Sequence, residues 1–593
     1  MVANPNKLSQ FWQELKRRKV VRVITVYAAA AFVLLELTDI IAEPLKLPSW
    51  LLPVVIVLLS IGFIIAIFLS WIYDIHPESG MVRTESADLM TNEKAPKSSN
   101  SWKIASYISF TLIVTLTILN LLPRNGKENP DQPAGKSIAV LPFEDMSPNK
   151  DQEYFCDGIS EEIINSLAQI PELKVIARTS SFSYKGRNED VRDIARNLGV
   201  ETLVEGSIQK IGERIRITAQ LIRAEDGSHF WSKQYDRKFA DLFAIQDEIS
   251  RSIVENLKIE LLGDIKESAP GQTSNLDAYQ LYLQGRYFWH RRTNQDLQQS
   301  IKYYQQAIEL DSNYALAYAG LGDAYYISAY WRFLNYKEAY ETGKKFALKA
   351  ISLDPNIPEA YATLGGIATW YEWDWEKAEK EILKALSMNP NYASGYQYYS
   401  ELLNILGDYS GARANIDKAI ALNPNSTVMY AVSSDNYYDT GDFNSALQHD
   451  DISHELALFN RTRIRAIRCL VRLQKYEDAL YEMKIMLERV PGLTTTGNMD
   501  SIFHESGIQG AMRWFISHMS KDSYREYYEG SSPNINIAKL YALINDPVKA
   551  LEFIELAYSD REATVVKINK ALDFRLLRDH PRYQELITLM NLE

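Results

Sequence analysis

The sequence predicts a multidomain chain: three transmembrane helices, a compact α/β domain with the order β-α-β-α-β-β-β-α, and then an all-α superhelix of repeated helix pairs. Three observations carry this. Apolar runs with almost no charge punctuate the first 122 residues, strand-like and helix-like periods alternate from Ser137 to about Gly263, and a 34-residue period follows. The expected divisions are a basic amphipathic segment at 1–22, a membrane region at 23–122, a linker at 123–136, the α/β domain at 137–263, the repeat array at 277–491, and degenerate helical repeats with a cap at 492–593.

Length and composition bound the reading. A chain of 593 residues has room for several domains. With 46% hydrophobic and 24% charged residues, most of it should pack into cores. A net charge of −12 argues against nucleic acid as a main partner, because phosphate binding needs a basic surface. Cys156 and Cys469 stand far apart, so they imply no disulfide framework and no Cys metal site.

The membrane expectation rests on three runs, at about 20–42, 51–73 and 104–122, each near the roughly 20 residues needed to cross hydrocarbon. Lys7, Lys16, Arg17, Arg18, Lys19 and Arg22 precede the first run, and Arg83, Lys94, Lys97 and Lys103 separate the second from the third. Lys46, Arg124, Lys127 and Lys136 lie on the other side. This asymmetry predicts a multi-pass bacterial inner-membrane protein with a cytoplasmic N-terminus and periplasmic soluble domains. Glu36 and Asp39 near the end of the first run read as interfacial groups.

In the α/β domain, Ile138–Phe143 reads as a buried strand. Ser160 with Glu161 and Glu162 reads as a helix start, Asp157-Gly158 as a turn, and Val191–Leu198 as a second helix stopped by Gly199. Alternation with turns at Gly212-Glu213 and Asp226-Gly227 predicts a three-stranded meander, closed by an amphipathic helix. The stretches "SIAVLPFEDMS", "EYFCDGISEEIINSLAQI", "LKVIARTSSFSYKG" and "FWSKQYDRKFADLFAIQDEI" resemble the TolB amino-terminal-like, or FlgO-like, domain. The N-terminal block also looks like the membrane region often attached to that domain. The resemblance implies a binding or interaction role.

The repeats come next. "AIELD" at Ala307, "AISLDP" at Ala350, "ALSMNP" at Ala385 and "AIALNP" at Ala419 are spaced by 43, 35 and 34 residues. A helix pair of this length cannot bury its apolar face alone and must stack. Tyr318, Leu321, Gly322 and Tyr325 share one helix, with Gly322 admitting a close neighbour. The unit from Thr427 is degenerate, with Ser433 and Ser434 in place of the usual Leu and Gly, and an insertion falls near Ala329–Lys337. These residues resemble the tetratricopeptide (TPR) repeat.

That resemblance implies that the first helix of each pair lines a concave face. Counting along those helices puts Asp323, Tyr326, Thr369, Gln397, Glu401, Asn404, Asp435 and Tyr438 on it, with Trp370 one step beyond Thr369. Carboxylates next to aromatic rings suit a basic or amide-rich extended segment. A purely spacing superhelix with a solvated inner face is the other reading.

Signs of catalysis are weak. No phosphate loop, G-x-S-x-G or H-E-x-x-H occurs. Ser147 and Lys150 form S-x-x-K, but in an apparent loop. His449 and His454 are five apart, off a common helix face. The expectation is a non-catalytic, membrane-embedded scaffold without cofactor or metal, binding a protein or peptide in its groove. The alternative is a ligand-sensing regulatory subunit acting on a separate cyclase-like or transcriptional effector.

Overall fold

The computed structural model describes residues 27, 31, 59–60, 62–63, 73–76, 80–83, 137–257, 273–456, 463–490, 496–521 and 533–592. The chain divides into two units, Met1–Lys127 and Glu128–Glu593.

In the first unit, β1 (Tyr73–His76) pairs antiparallel with β2 (Gly80–Arg83). The Tyr27 hydroxyl donates to the Leu59 carbonyl at 2.8 Å, and its ring lies 5.5 Å from that of Phe63. Among the described residues no helix is long and apolar enough to cross a membrane. The runs at 20–42, 51–73 and 104–122 lie almost wholly outside those residues. Two of the sequence-based expectations are corrected on this ground: three transmembrane helices as part of the fold, and a multi-pass inner-membrane location with periplasmic domains. Hydropathy records aversion to water, which a neighbouring helix relieves as well as lipid does, so an uncharged run does not by itself distinguish the two.

The second unit opens with the α/β domain. Its strands are β3 (Ser137–Val140), β4 (Glu144–Asp145), β5 (Lys174–Val175), β6 (Thr202–Ile211), β7 (Arg214–Arg223) and β8 (His229–Lys238). Its helices are α1 (Glu153–Ala168), α2 (Arg178–Phe182), α3 (Val191–Leu198) and α4 (Leu242–Asn256). The sheet runs β5-β3-β6-β7-β8, with β4 paired to β6. β3 is parallel to β5 and β6, while β6, β7 and β8 form the expected antiparallel meander. The Asp190 side chain caps α3, and Gly199 ends it at φ 63°, a conformation glycine adopts without steric cost.

α1 starts seven residues before the expected Ser160, at Glu153. Asp157-Gly158 is therefore helix and not a turn. A Cβ on Gly158 would lie 2.5 Å from a Leu283 methyl, so this glycine serves close helix packing. Glu161 and Glu162 are consequently buried mid-helix.

Helical pairs follow: α5 (Leu276–Arg291) with α6 (Asn294–Leu310), α7 (Ala315–Tyr330) with α8 (Tyr336–Leu353), and α9 (Pro358–Ile367) with α10 (Trp375–Met388). Then come α11 (Ala393–Leu406) with α12 (Tyr409–Leu422), α13 (Thr427–Asp439) with α14 (Phe443–Glu455), and α15 (Ile464–Arg472) with α16 (Tyr476–Glu488). α17 (Thr496–Met519), α18 (Pro533–Leu543), α19 (Pro547–Ser559) and α20 (Pro581–Leu589) complete the array. A π-helical turn, Ala368–Glu372, follows α9 and carries Trp370. In the degenerate unit, Ser434 Oγ donates to the Ala446 carbonyl at 2.7 Å, just as Ser400 Oγ donates to Ala412 at 2.7 Å. A buried hydroxyl bonded to the neighbouring helix thus replaces the small apolar contact.

Between Ser559 and α20 the chain departs from α-helix. It forms 3₁₀ turns at Ala563–Ile568 and Arg575–Leu577.

Candidate protein-binding groove

The array clasps the α/β domain through its inter-repeat turns. Asn391 Nδ2 donates to the carbonyls of Ala168 (3.0 Å) and Leu173 (2.9 Å), while its Oδ1 accepts from the Val175 amide at 3.2 Å. One turn later, the Leu422 carbonyl accepts from the Ala177 amide at 2.8 Å, and Ser180 Oγ donates to Asn423 Oδ1 at 2.6 Å. An "NPN" sequence reads as a turn, and nothing local in it announces a docking surface.

An ion cluster seals α1 to α5. Glu161 accepts from Arg286 Nε at 3.0 Å, and His290 Nε2 lies 3.1 Å away. Arg178 Nε is 3.3 Å from the other oxygen. Lys185 holds Asp157 at 2.6 Å. Burial works to raise the Glu161 pKa, but the Arg286 and Arg178 guanidiniums, with the hydrogen bond from His290, prevail and hold it well below the usual carboxylate range. Burial and the flanking arginines push His290 down to about 3, so its ring stays neutral.

The expected groove residues fall into two groups. Those toward the C-terminus meet the chain's own segment between α19 and α20. Lys567 Nζ lies 3.3 Å from Asp435 and 3.7 Å from Glu401, and 5.7 Å from the Trp370 ring centroid. Asn569 Nδ2 donates to the Ile405 carbonyl at 2.9 Å. Tyr438 donates to Asp573 at 2.6 Å, Arg472 pairs with Asp573 at 3.3 Å, and the Arg468 guanidinium stacks 3.9 Å over the Tyr438 ring. Gln397 donates to Glu401 at 3.2 Å, and Asn404 to Asp439 at 3.3 Å. Val565, Val566, Ile568 and Phe574 join Tyr326, Ile367, Trp370 and Ile405 in one buried cluster. The occupant of this stretch is thus a segment bearing Lys and Asn, supplied in cis. Lys567, Asn569 and Asp573 went unnoticed in the sequence. Their one signal is polar groups breaking the apolar run "ATVVKINKALDF".

Electrostatics follow this arrangement. Burial raises the Glu401 carboxyl despite Lys567. For Asp435 burial acts upward too, but Lys567 and neighbouring cations outweigh it and the net shift is down. Desolvation of the half-buried Asp439, with Asp435 beside it, pushes its carboxyl up to about 6, and burial brings Lys539 down to about 8.

Asp323 forms the other group, on α7. It faces a cavity of about 50 Å³ between α1 and the inner side of α7 and α9, whose lining includes Glu162, Gln169, Arg286, Gly320 and Glu359. The S-x-x-K pair is structural: the Lys150 amide donates to the Ser147 carbonyl at 3.1 Å, closing a turn. Cys156 and Cys469 are both buried thiols. Among the described residues, no three His, Cys, Asp or Glu are placed to hold a metal ion.

An α/β domain clasped by a TPR array defines the class of this protein, and such arrays serve as protein–protein interaction scaffolds. The TPR repeat model matches residues 292–327, and that of the HilA/YgeH-like transcriptional regulator second domain matches 134–252. The chain is 36% identical over 255 residues to "Putative adenylate cyclase 3" of Rhizobium meliloti (strain 1021), a match covering 42% of this chain and 43% of that protein. It is 22% identical over 243 residues to the transcriptional regulator HilA of Salmonella typhimurium, covering 40% and 42%. The chain therefore spans less than half the length of the curated relatives it matches. Among solved structures it is similar to pilF of Pseudomonas aeruginosa, at 16% identity and a TM-score of 0.30, covering 38% of this chain and 97% of that one. It is also similar to YrrB, described as a TPR protein with an unusual peptide-binding site, at 18% identity and a TM-score of 0.22, covering 37% and 93%.

Proposed function

We propose that this chain is a non-catalytic scaffold that receives a partner protein on the part of its concave face left open beside α1. One observation carries the reading: the C-terminal stretch of that face is filled in cis by the Ala563–Leu577 segment, whereas the stretch around Asp323 opens onto a polar cavity. The resemblance of residues 137–263 to the TolB amino-terminal-like domain supports a binding role for the α/β domain as well.

A photocrosslinking residue at Asn356, which is exposed at the rim of this cavity, tests the proposal in cells. The same residue at Lys349, exposed on α8, is the control. The expected result is a discrete adduct from Asn356 that Asp323→Lys abolishes. Equal adducts from both positions would overturn it.

A second reading has its own support. The match of residues 134–252 to a domain of transcriptional regulators, and an open pocket of about 860 Å³ bordered by Arg192, Arg196, Arg223 and Phe230, suit a ligand-sensing α/β domain acting on a separate effector. Adducts arising only from a crosslinker at Arg196 would favour it.

A further inference from the structure

We infer that the Ala563–Leu577 segment is an internal ligand. It occupies in cis a stretch of the concave face that recognises a partner segment of the same pattern: a lysine, an asparagine two residues on and an aspartate six residues on, among apolar side chains. This goes beyond the reading above, which concerns the other stretch of the face, and does not depend on it. The first ground is the way the segment is read. Glu401, Asp435 and Arg468 are spaced by 34 and 33 residues, so they are one position repeated on α11, α13 and α15. Ile405, Tyr438 and Arg472 form a second such row, spaced by 33 and 34. Together the rows make a ladder with carboxylates at one end and guanidinium groups at the other. The segment runs along it, with Lys567 beside Glu401 and Asp435, Asn569 on the Ile405 carbonyl, and Asp573 on Tyr438, Arg468 and Arg472. Equivalent positions of successive repeats thus meet successive groups of one linear segment, which is how a solenoid's concave surface is used for binding.

The second ground is the chemistry of these contacts. Ion pairs taken out of water contribute little net stability, and apolar side chains of the same volume would close the groove at no greater cost. Paired charges instead select a sequence and a register, because a segment with the wrong charge sets like against like at Glu401 and Asp435, or at Arg468 and Arg472. Val565, Val566, Ile568 and Phe574 supply the apolar burial. The third ground is the tether. Glu562 is fixed outside the groove, where its carboxylate accepts the Asn534 and Ile535 amides at 3.0 Å, at the start of α18. From there to Leu577 the chain forms only two short 3₁₀ turns, so the segment can leave the groove without unwinding an α-helix. A segment tethered this closely competes at an effective concentration of about 1 mM or more and masks the site.

The probe is a fluorescent synthetic peptide with the sequence of residues 561–578, titrated into the full chain and followed by anisotropy. It should bind the unaltered chain weakly. The Lys567→Ala/Asp573→Ala chain should bind it at least about tenfold more tightly, because emptying the cis site raises the fraction of chains open to the probe. A peptide that itself carries Lys567→Ala and Asp573→Ala should lose that gain, and so should a chain with Asp435→Lys added. Hydrogen exchange gives a reading on the unaltered chain, whether or not the variant folds. An isotope-labelled peptide at about 1 mM should speed exchange of the chain's own Ala563–Leu577 amides while α11, α13 and α15 keep their protection. Equal affinity of the two chains, indifference to the peptide substitutions, or unchanged exchange of the segment overturns the internal ligand and leaves a structural cap. A dimer in light scattering that the peptide dissociates would overturn the partner assignment, the occupant then being a second copy of the chain. None of these outcomes bears on the Asn356 crosslink, which reads the stretch beside α1.

Discussion

Replacing Glu161 by Gln removes the carboxylate that Arg178 and Arg286 pair with and that His290 hydrogen-bonds, while keeping the shape of the side chain; Arg178 keeps Asp157 at 3.5 Å, and Arg286 is left without its counter-ion. Glu161 is 4% exposed, so water cannot take over its role. Breaking a buried ion pair from one side costs roughly 3–5 kcal/mol, because the remaining charge stays buried without a counter-ion. The side chains of Arg286 and His290 keep 15% and 17% exposure, so solvation returns part of that. We expect a loss of about 2–4 kcal/mol. Denaturant unfolding of the full chain reads the loss, and hydrogen exchange locates it: amides of α1 and α5 should lose protection together, because this cluster joins the two. The cycle with Arg286→Met supplies the control. If the two groups act as a pair, the double variant should lose less than the sum of the single ones by at least about 1 kcal/mol. Additive losses, or a denaturation midpoint that Glu161→Gln leaves in place, would refute the idea that this cluster fastens the α/β domain to the array.

Two further outcomes follow from the same structure. His290 has its pKa lowered from 6.5 to about 3, so the folded state resists protonating it. Its contribution to stability is complete above pH 6.5 and declines as pH falls, by up to about 1.4 kcal/mol per pH unit. Glu161 also has a lowered folded pKa, but its contribution fades only below its ordinary value of 4.5. Between pH 6.5 and 4.5 a stability titration of His290→Gln should therefore be flatter than that of the parent, and parallel curves would remove His290 from the account. At Gly322, a Cβ would lie 3.0 Å from both the Ala347 amide nitrogen and the Gly343 carbonyl oxygen, backbone atoms that cannot swing aside. Gly322→Leu should overpack the α7–α8 contact and cost about 1–3 kcal/mol in denaturant unfolding, with an unchanged midpoint counting against a close helix crossing there.

Much of the fold was legible because it is written in short-range periods. The 34-residue spacing marks helix pairs that must stack, and the Gly322 position was readable from the stretch "ALAYAGLGDAY", which puts it on one helix with Tyr318, Leu321 and Tyr325. The β6-β7-β8 meander was legible from alternation and from Gly212 and Gly227, which sit at φ 59° and 72° in its turns. Gly199 announced the end of α3 by the same chemistry. Where local signals competed, the reading slipped. Asp157-Gly158 has turn composition, yet packing of Gly158 against Leu283 keeps it helical. The uncharged N-terminal runs were read as membrane spans because hydropathy carries no record of what surrounds them.

The sequence by itself determined that these residues recur on one side of the first helices, since helical spacing places side chains on a face whatever the neighbours are, and only the TPR resemblance implies that this side is the concave one. It also determined the kind of group that such a face would take, because Glu401 and Asp435 are acids wherever they sit. Only the tertiary structure decided what meets them. Lys567 lies 132 residues beyond Asp435, and Arg286 lies 125 beyond Glu161. Such pairs form when the superhelix closes on its own C-terminal segment and when the "NPN" turns clasp the α/β domain. No periodicity encodes separations of that length, because each depends on the summed geometry of every helix between. Asp323 stands apart for the same reason: the chain that reaches its neighbours stops short of it, and the cavity beside it remains open.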